Sequence, residues 1–253
     1  MREGSPFQVF RVKAVLRETD NTKTFTFDNS LDASPGQFVM AWLPGVGEKP
    51  FCVADAQPLA ITIADIGAFS HALHQLKPGG RVWIRGPFGQ GFTLNGSKHL
   101  LVGGGYGAAP LYFLARTARA LGQEVAVCLG ARTGADLLMQ KAFHEIECDV
   151  VTATDDGSAG IKGVVTDAVQ QVLTHYEPDC LYACGPLAML SAVAKLCRAR
   201  LLPVQLSYEA LMRCGIGLCG SCELDEDVRL AANIPPGWLT CKDGPVFTFN
   251  PRY

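Results

Sequence analysis

Four cysteines carry the strongest chemical signal in this chain. Cys214, Cys219 and Cys222 form a C-x4-C-x2-C run, and Cys241 follows downstream. This is the plant-type [2Fe-2S] spacing. Three thiolates from one short loop must converge on a cluster, so the backbone has to wrap tightly around it. Gly215, Gly217 and Gly220 suit that task, because glycine allows positive φ and lets backbone N–H groups approach the sulfurs. A four-cysteine zinc site is the competing reading. Zinc sites usually pair two C-x2-C hooks, and only one such hook is present. Cys128, Cys148, Cys180 and Cys197 sit in or beside expected strands and helices, and read as small buried hydrophobes.

The second signal is the turn Gly103-Gly104-Gly105-Tyr106-Gly107-Ala108-Ala109-Pro110 between an apolar strand and a helix. N–H groups at a helix N-terminus, with glycines permitting close approach, suit a pyrophosphate. The pattern is not G-x-G-x-x-G, and many strand-to-helix turns carry glycine for geometry alone. The five histidines show no ligand spacing; His71 and His74 share a helical face that reads as solvated surface.

Three textures position these groups. Residues 7–95 hold short alternating or β-branched runs, such as 7–12, 24–27, 37–42, 59–63 and 81–84, with one short helix near 69–76. Such runs imply an antiparallel barrel or sandwich. Residues 98–202 alternate strands with helices, starting at strand 99–103. Helix-period residues Leu111, Leu114, Ala115, Ala118 and Leu121 follow, and Gly122 closes that helix. Strands at 124–129, 149–154, 179–183 and 204–208 make a parallel sheet covered on both faces. The rest of 203–253 reads as loop, too small to fold without a staple such as a metal.

Composition narrows the function classes. With 48% apolar and 18% charged residues, the 253-residue chain can bury a core. A net charge of -2 argues against nucleic acid as the main partner. The first ten residues show no cationic start followed by an apolar run, so no signal peptide is read there. The longest uncharged stretch, 100–115, is broken by glycine and proline and too short for a membrane span. A cytoplasmic location follows as the expectation, where clustered cysteines favour metal over disulfides.

Taken in order, the barrel, the GGGxGxxP turn and Cys184-Gly185-Pro186 with Met189 resemble the ferredoxin–NADP reductase superfamily. The appended cysteine segment makes the chain similar to the electron transfer subunits of class 1B dihydroorotate dehydrogenase. The likeness covers essentially the whole chain. Its most specific stretches are 86–92, 154–158 and 241–247.

The resemblance implies a barrel binding FAD (1–97), an α/β domain binding NAD(P) (98–202) and a [2Fe-2S] region (203–253). It implies flavin contacts at Lys49, Pro50, Phe51 and Cys52, where the family usually has Arg-Pro-x-Ser. Lysine keeps the charge but loses the bidentate fork, and cysteine is the weaker hydrogen-bond donor. Further flavin contacts are implied at Thr62, Ile63 and Ala64, and at Phe69 and Ser70, where the subunits more often show Gly-Thr. The nucleotide side is implied at Gly104, Gly105, Gly107, Ala108 and Pro110, at Asp155, Asp156 and Gly157, and at Gly185 and Pro186. Cys184 would lie beside the nicotinamide ring as the catalytic candidate, although a buried strand-end thiol is the alternative. Arg132 reads equally as a 2′-phosphate contact or a surface charge.

The implied route runs from NAD(H) through FAD and the cluster to a separate FMN-containing catalytic subunit, in a heterotetramer of pyrimidine biosynthesis. Two alternatives stay open. One is a related subunit of a hydrogenase, sulfite reductase or ferredoxin:NADP complex. The other is a zinc-stabilised binding module without redox function.

Overall fold

The computed structural model describes residues 7–251. Residues 1–6, part of the stretch on which the signal-peptide expectation rests, lie outside the described residues.

The first half closes into a barrel. Its strands are β1 (Gln8–Arg17), β2 (Thr22–Phe27), β3 (Phe38–Leu43), β4 (Gly47–Ala56), β5 (Leu59–Ala64) and β6 (Arg81–Phe88), with helix α1 (Ala68–His74) before β6. They pair antiparallel in the order β1-β2-β5-β4-β3-β6, and β6 returns to β1. Alternation drives the closure, because successive side chains point to opposite faces. Phe10 and Val12 of β1, Phe25 and Phe27 of β2, and Ile61 and Ile63 of β5 all point into one core.

The second half is a seven-stranded sheet. Its elements are β7 (Lys98–Gly104), α2 (Ala108–Ala120), β8 (Glu124–Ala131), α3 (Gln140–Glu145), β9 (Asp149–Thr154), β10 (Ile161–Lys162), α4 (Val165–Val172), β11 (Cys180–Cys184), α5 (Leu187–Arg200) and β12 (Val204–Ser207). Helix α6 (Glu226–Ala232) and strand β13 (Val246–Phe249) follow. The order is β10-β9-β8-β7-β11-β12-β13, parallel except for the last pair. The strands read as unbroken apolar runs because both faces are covered. Leu100 and Val102 meet α4 and α5 on one face, and Leu101 meets α2 on the other. Cys128, Cys148, Cys180 and Cys197 are buried as expected.

Three sequence expectations are corrected. Leu121 does not continue the sheet-facing side of α2: it caps the helix end, where the chain leaves the helical path, and is 66% exposed. His74 is not solvated surface: it is 7% exposed, and its Nε2 bonds the Ile63 carbonyl at 2.8 Å. The segment after β12 is also more than a metal-stapled loop. β13 pairs with β12, and Ile234 and Trp238 pack into the sheet core. The rings of Tyr208 and Phe247 meet Trp238 edge-on. Single apolar residues spaced along a loop show no periodicity, so the sequence hid this packing. Among the described residues, no helix is long and apolar enough to cross a membrane.

Candidate functional site

The sheet has a topological switch point. From β7 the chain runs outward to β8, β9 and β10, then returns to place β11 on the opposite side of β7. Ligands of open α/β sheets bind outside the carboxyl ends of the strands at such a point. Here those ends are the glycine turn after β7 and Cys184-Gly185-Pro186 after β11. The two lie in near contact. A Cβ on Gly107 would stand 2.2 Å from the Cys184 carbonyl oxygen, and one on Gly104 2.7 Å from Met189 Sδ. Crowding against backbone therefore requires glycine at 107, and a concave backbone surface results.

That surface opens into a cleft of about 630 Å³ between the two halves. The barrel contributes Lys49, Pro50, Phe51 and Cys52 of β4, Thr62, Ile63 and Ala64 of β5, and Phe69 and Ser70 of α1. The α/β half contributes Gly107, Pro110 and Cys184. Thus twelve sequence-selected residues, far apart in the chain, line one space. The Phe51 and Phe69 rings stack at 6.0 Å on its apolar wall. Lys49 is exposed and makes no ion pair among the described residues. An apolar slot with an unpaired cation fits a flavin and its diphosphate.

Other predicted residues are placed differently. Ser70 is occupied locally: its Oγ accepts from the N–H groups of Ile66 and Gly67, both at 3.0 Å, and donates to the Gly67 carbonyl. It shapes the α1 entry. Ala108 turns into the core against Gly103 rather than into the cleft. Gly104, Gly105, Gly185 and Pro186 back the cleft from the switch point. Asp155, Asp156 and Gly157 sit beyond it, after β9 on the same sheet edge. There Asp156 accepts from the N–H and hydroxyl of Ser158, whose Oγ accepts from Gly134 N–H at 2.7 Å.

The cleft thiols stay protonated. Burial, reinforced by Glu209, pushes Cys52 up to about 12. Burial, with Cys52 and Glu209 nearby, holds Cys184 well above the ordinary thiol range. Neither is an activated nucleophile. Sequence reasoning passed over a polar pair in the cleft, Tyr106 and Glu209. The Tyr106 hydroxyl donates to Glu209 Oε2 at 3.2 Å, and desolvation raises Glu209 above the ordinary carboxyl value. A tyrosine inside a glycine turn and a lone acid between β12 and the cysteines were the available signals.

The four cysteines singled out in the sequence, Cys214, Cys219, Cys222 and Cys241, form two pairs. Cys222 and Cys241 are each 1% exposed, with sulfurs 3.2 Å apart. Cys219 is exposed and Cys214 half-buried, and their side chains are neighbours on the loop. Two ligand pairs match a two-iron cluster. Among the described residues, no three His, Cys, Asp or Glu side chains converge as they would around one ion. Backbone amides already face sulfur: Gly217 N–H donates to Cys241 Sγ at 3.1 Å and Leu218 N–H to Cys214 Sγ at 3.3 Å. Gly217 manages this at φ +77°, a backbone state that favours glycine. Amides of this kind stabilise anionic sulfur.

Cluster loop and cleft share a wall. Met212 and Phe38 line the cleft and also pack against Cys222 and Cys241. The stretches 86–92 and 241–247 meet there too, since a Cβ on Gly89 would stand 2.5 Å from the Gly244 carbonyl oxygen.

A closed antiparallel barrel, a nucleotide-type sheet and one cleft between them define an oxidoreductase of ferredoxin–NADP reductase type, using FAD, NAD(H) and an iron–sulfur cluster. Comparisons with known proteins narrow the class. Residues 101–195 match the family described as oxidoreductase NAD-binding domain. Residues 209–251 match the iron-sulfur cluster binding domain of dihydroorotate dehydrogenase B. The chain is 41% identical, over 95% of its length and 96% of the relative, to the probable dihydroorotate dehydrogenase B (NAD(+)) electron transfer subunit of Thermococcus kodakarensis. It is 39% identical to that of Methanocaldococcus jannaschii, over 94% and 88%. A solved NADH-dependent reduced ferredoxin-NADP oxidoreductase superposes with TM-score 0.83 at 30% identity, covering 95% of this chain and 88% of that one. The chain belongs to the dihydroorotate dehydrogenase B electron transfer subunit family.

Proposed function

We propose that this chain passes electrons between NAD(H) and a separate FMN-containing catalytic subunit of dihydroorotate dehydrogenase, through FAD and a [2Fe-2S] cluster. One observation carries the reading: Met212, Phe38 and Ala210 line the cleft and also pack in the cluster that holds the buried cysteine pair. Electrons entering at the cleft have a short path outward. FAD supplies the exchange between a two-electron nicotinamide and a one-electron cluster.

The chain's own residues bind and orient. Phe51 and Phe69 wall the flavin ring, with Pro50, Cys52, Thr62, Ile63, Ala64 and Ser70 around it, and Lys49 meets the diphosphate. Gly104, Gly105, Gly107 and Pro110 let the nucleotide approach the backbone, with Ala108 fixing the turn from behind. Gly185, Pro186 and Asp155 to Gly157 extend that surface along the sheet edge. Cys184 lies beside the nicotinamide as a neutral thiol that fills space and excludes water. Cys214, Cys219, Cys222 and Cys241 hold the cluster. The division into 1–97, 98–202 and 203–253 follows these three tasks, and the protein works in the cytoplasm.

The docking face surrounds the exposed cysteine pair. Leu218 is 81% exposed, Leu211 57% and Ile216 44%. Clustered exposed apolar side chains of this kind mark a protein interface. The 30% likeness to the reduced ferredoxin-NADP oxidoreductase favours the second reading, a subunit of such a complex. The higher identity to the dehydrogenase subunits supports the first. Co-purification with the dihydroorotate dehydrogenase catalytic subunit, followed by NAD-dependent dihydroorotate oxidation, tests the choice. Stable assembly with a ferredoxin:NADP complex instead overturns the first reading. Zinc without flavin or iron–sulfur absorption overturns both.

A further inference from the structure

Helix α2 packs on two faces. Leu111, Leu114, Ala115 and Ala118 face its own sheet. Ala109, Phe113 and Arg116 recur at i, i+4 and i+7, a second stripe, and all three meet the barrel. Ala109 packs with Ala54 and Ala60. Phe113, 8% exposed, lies in the barrel's own core cluster with Val53 and Leu59. Arg116 completes the stripe with a two-pronged bond to Asp55 of β4: Nη2 donates to Oδ1 at 2.6 Å, and Nη1 donates to Oδ2. Asp55 Oδ1 also accepts from Gln57 N–H at 3.0 Å, which fixes the carboxylate. The guanidinium sits 5.8 Å over the Phe113 ring.

Both partners belong to elements of the site. β4 carries Lys49 to Cys52, and Asp55 follows three residues later. α2 begins at the turn that supplies Gly107 and Pro110. Two halves joined by ordinary contacts move relative to each other by default. A bidentate fork sets direction as well as distance.

We propose that Arg116 and Asp55 are a positioning pair, locking the flavin strand to the nucleotide helix so that NADH meets the flavin at reacting distance. The pair governs the rate of hydride transfer rather than affinity for either cofactor. In that step a C–H bond of NADH breaks, hydrogen and its electron pair pass to the flavin, and NAD+ is left. Neither residue exchanges a proton. The inference rests on the function proposed above.

The test uses the full chain loaded with FAD and cluster, as wild type, Arg116→Met, Arg116→Lys, Asp55→Asn and the exchanged double variant Asp55→Arg with Arg116→Asp. Anaerobic stopped-flow reduction by NADH and by 4-deuterated NADH reads the hydride step. Flavin and iron content, NADH affinity and amide hydrogen exchange are read in parallel. Reacting atoms must lie about 3–3.5 Å apart, and a shift of about 1 Å costs about 100-fold. Arg116→Met and Asp55→Asn should each slow the isotope-sensitive step about tenfold while NADH affinity and cofactor content stay within about twofold. Exchange should quicken along β4 and the barrel-facing stripe of α2. Arg116→Lys should fall between, and the exchanged pair should recover much of the rate.

Unchanged hydride transfer in both single variants overturns the proposal. So does a rate loss that tracks lost flavin, because the pair would then only hold the fold. If wild type is not reduced by NADH at all, the proposed function fails and this role fails with it. Normal reduction of wild type and variants alike is a failure of the positioning role alone.

Discussion

Gly107 and Cys184 are pressed together at the switch point of the sheet: a Cβ on the glycine would stand 2.2 Å from the cysteine's carbonyl oxygen. Its φ of -63° is ordinary, so the constraint is space and not backbone conformation. Gly107→Ala should push the turn off β11 and weaken NADH binding about tenfold or more, since a misplacement of about 1 Å is costly. FAD content should hold. Gly105 has φ +54° and no protein atom near its Cβ position, so Gly105→Ala adds local strain of about 1 kcal/mol and a methyl toward the nucleotide without touching β11. An unchanged NADH dissociation constant in Gly107→Ala, measured by titration, would remove the crowding argument.

Lys49 stands at the cleft mouth without an ion pair among the described residues. Lys49→Gln should raise the FAD dissociation constant about tenfold, the scale of one hydrogen bond to a charged group. Lys49→Arg should lower it, because the guanidinium fork meets phosphate in two places. Flavin retention on dilution, followed by fluorescence, measures both. No change in either variant would take Lys49 out of the diphosphate site.

Cys219→Ser removes one of the four proposed cluster ligands, the exposed one. Iron content and the cluster's electron paramagnetic resonance signal should fall sharply, and electron delivery to the catalytic subunit with them. Reduction of the flavin by NADH should persist, because Cys219 does not line the cleft. Delivery that survives loss of the cluster would refute the relay.

Asp179 accepts the N–H groups of Ser97 at 2.7 Å and Lys98 at 3.0 Å, and these bonds hold its carboxyl below the ordinary value. A depressed pKa stabilises the fold above the unfolded value near 3.8 and loses that stabilisation as pH falls through the lower folded value. The side chain is exposed, so the contribution is about 1 kcal/mol or less. Asp179→Asn should therefore lower stability at pH 7 and flatten its acid dependence below about pH 4. Urea midpoints from pH 2.5 to 7 check this. An unchanged wild-type slope in the variant would show that the shift lies elsewhere.

Local pattern made much of this protein legible from sequence. Cys214, Cys219 and Cys222 stand out as proposed cluster ligands because three cysteines share one loop. β9 and the helix closed by Gly122 follow from short-range periodicity and turn chemistry. What needed the tertiary structure was every encounter between distant segments. Met212 shares a wall with the cleft and the buried cysteines, Tyr106 reaches Glu209, and Arg116 grips Asp55. Each of these depends on how barrel and sheet pack, and side-chain spacing along a chain carries no record of that. The same limit explains β13 and Trp238, whose few apolar residues acquire meaning only against the sheet edge that receives them. Ser70 and Ala108 show the converse: sequence marked the right turns, but only packing decides which atom of a turn faces the ligand and which is spent holding the turn in shape.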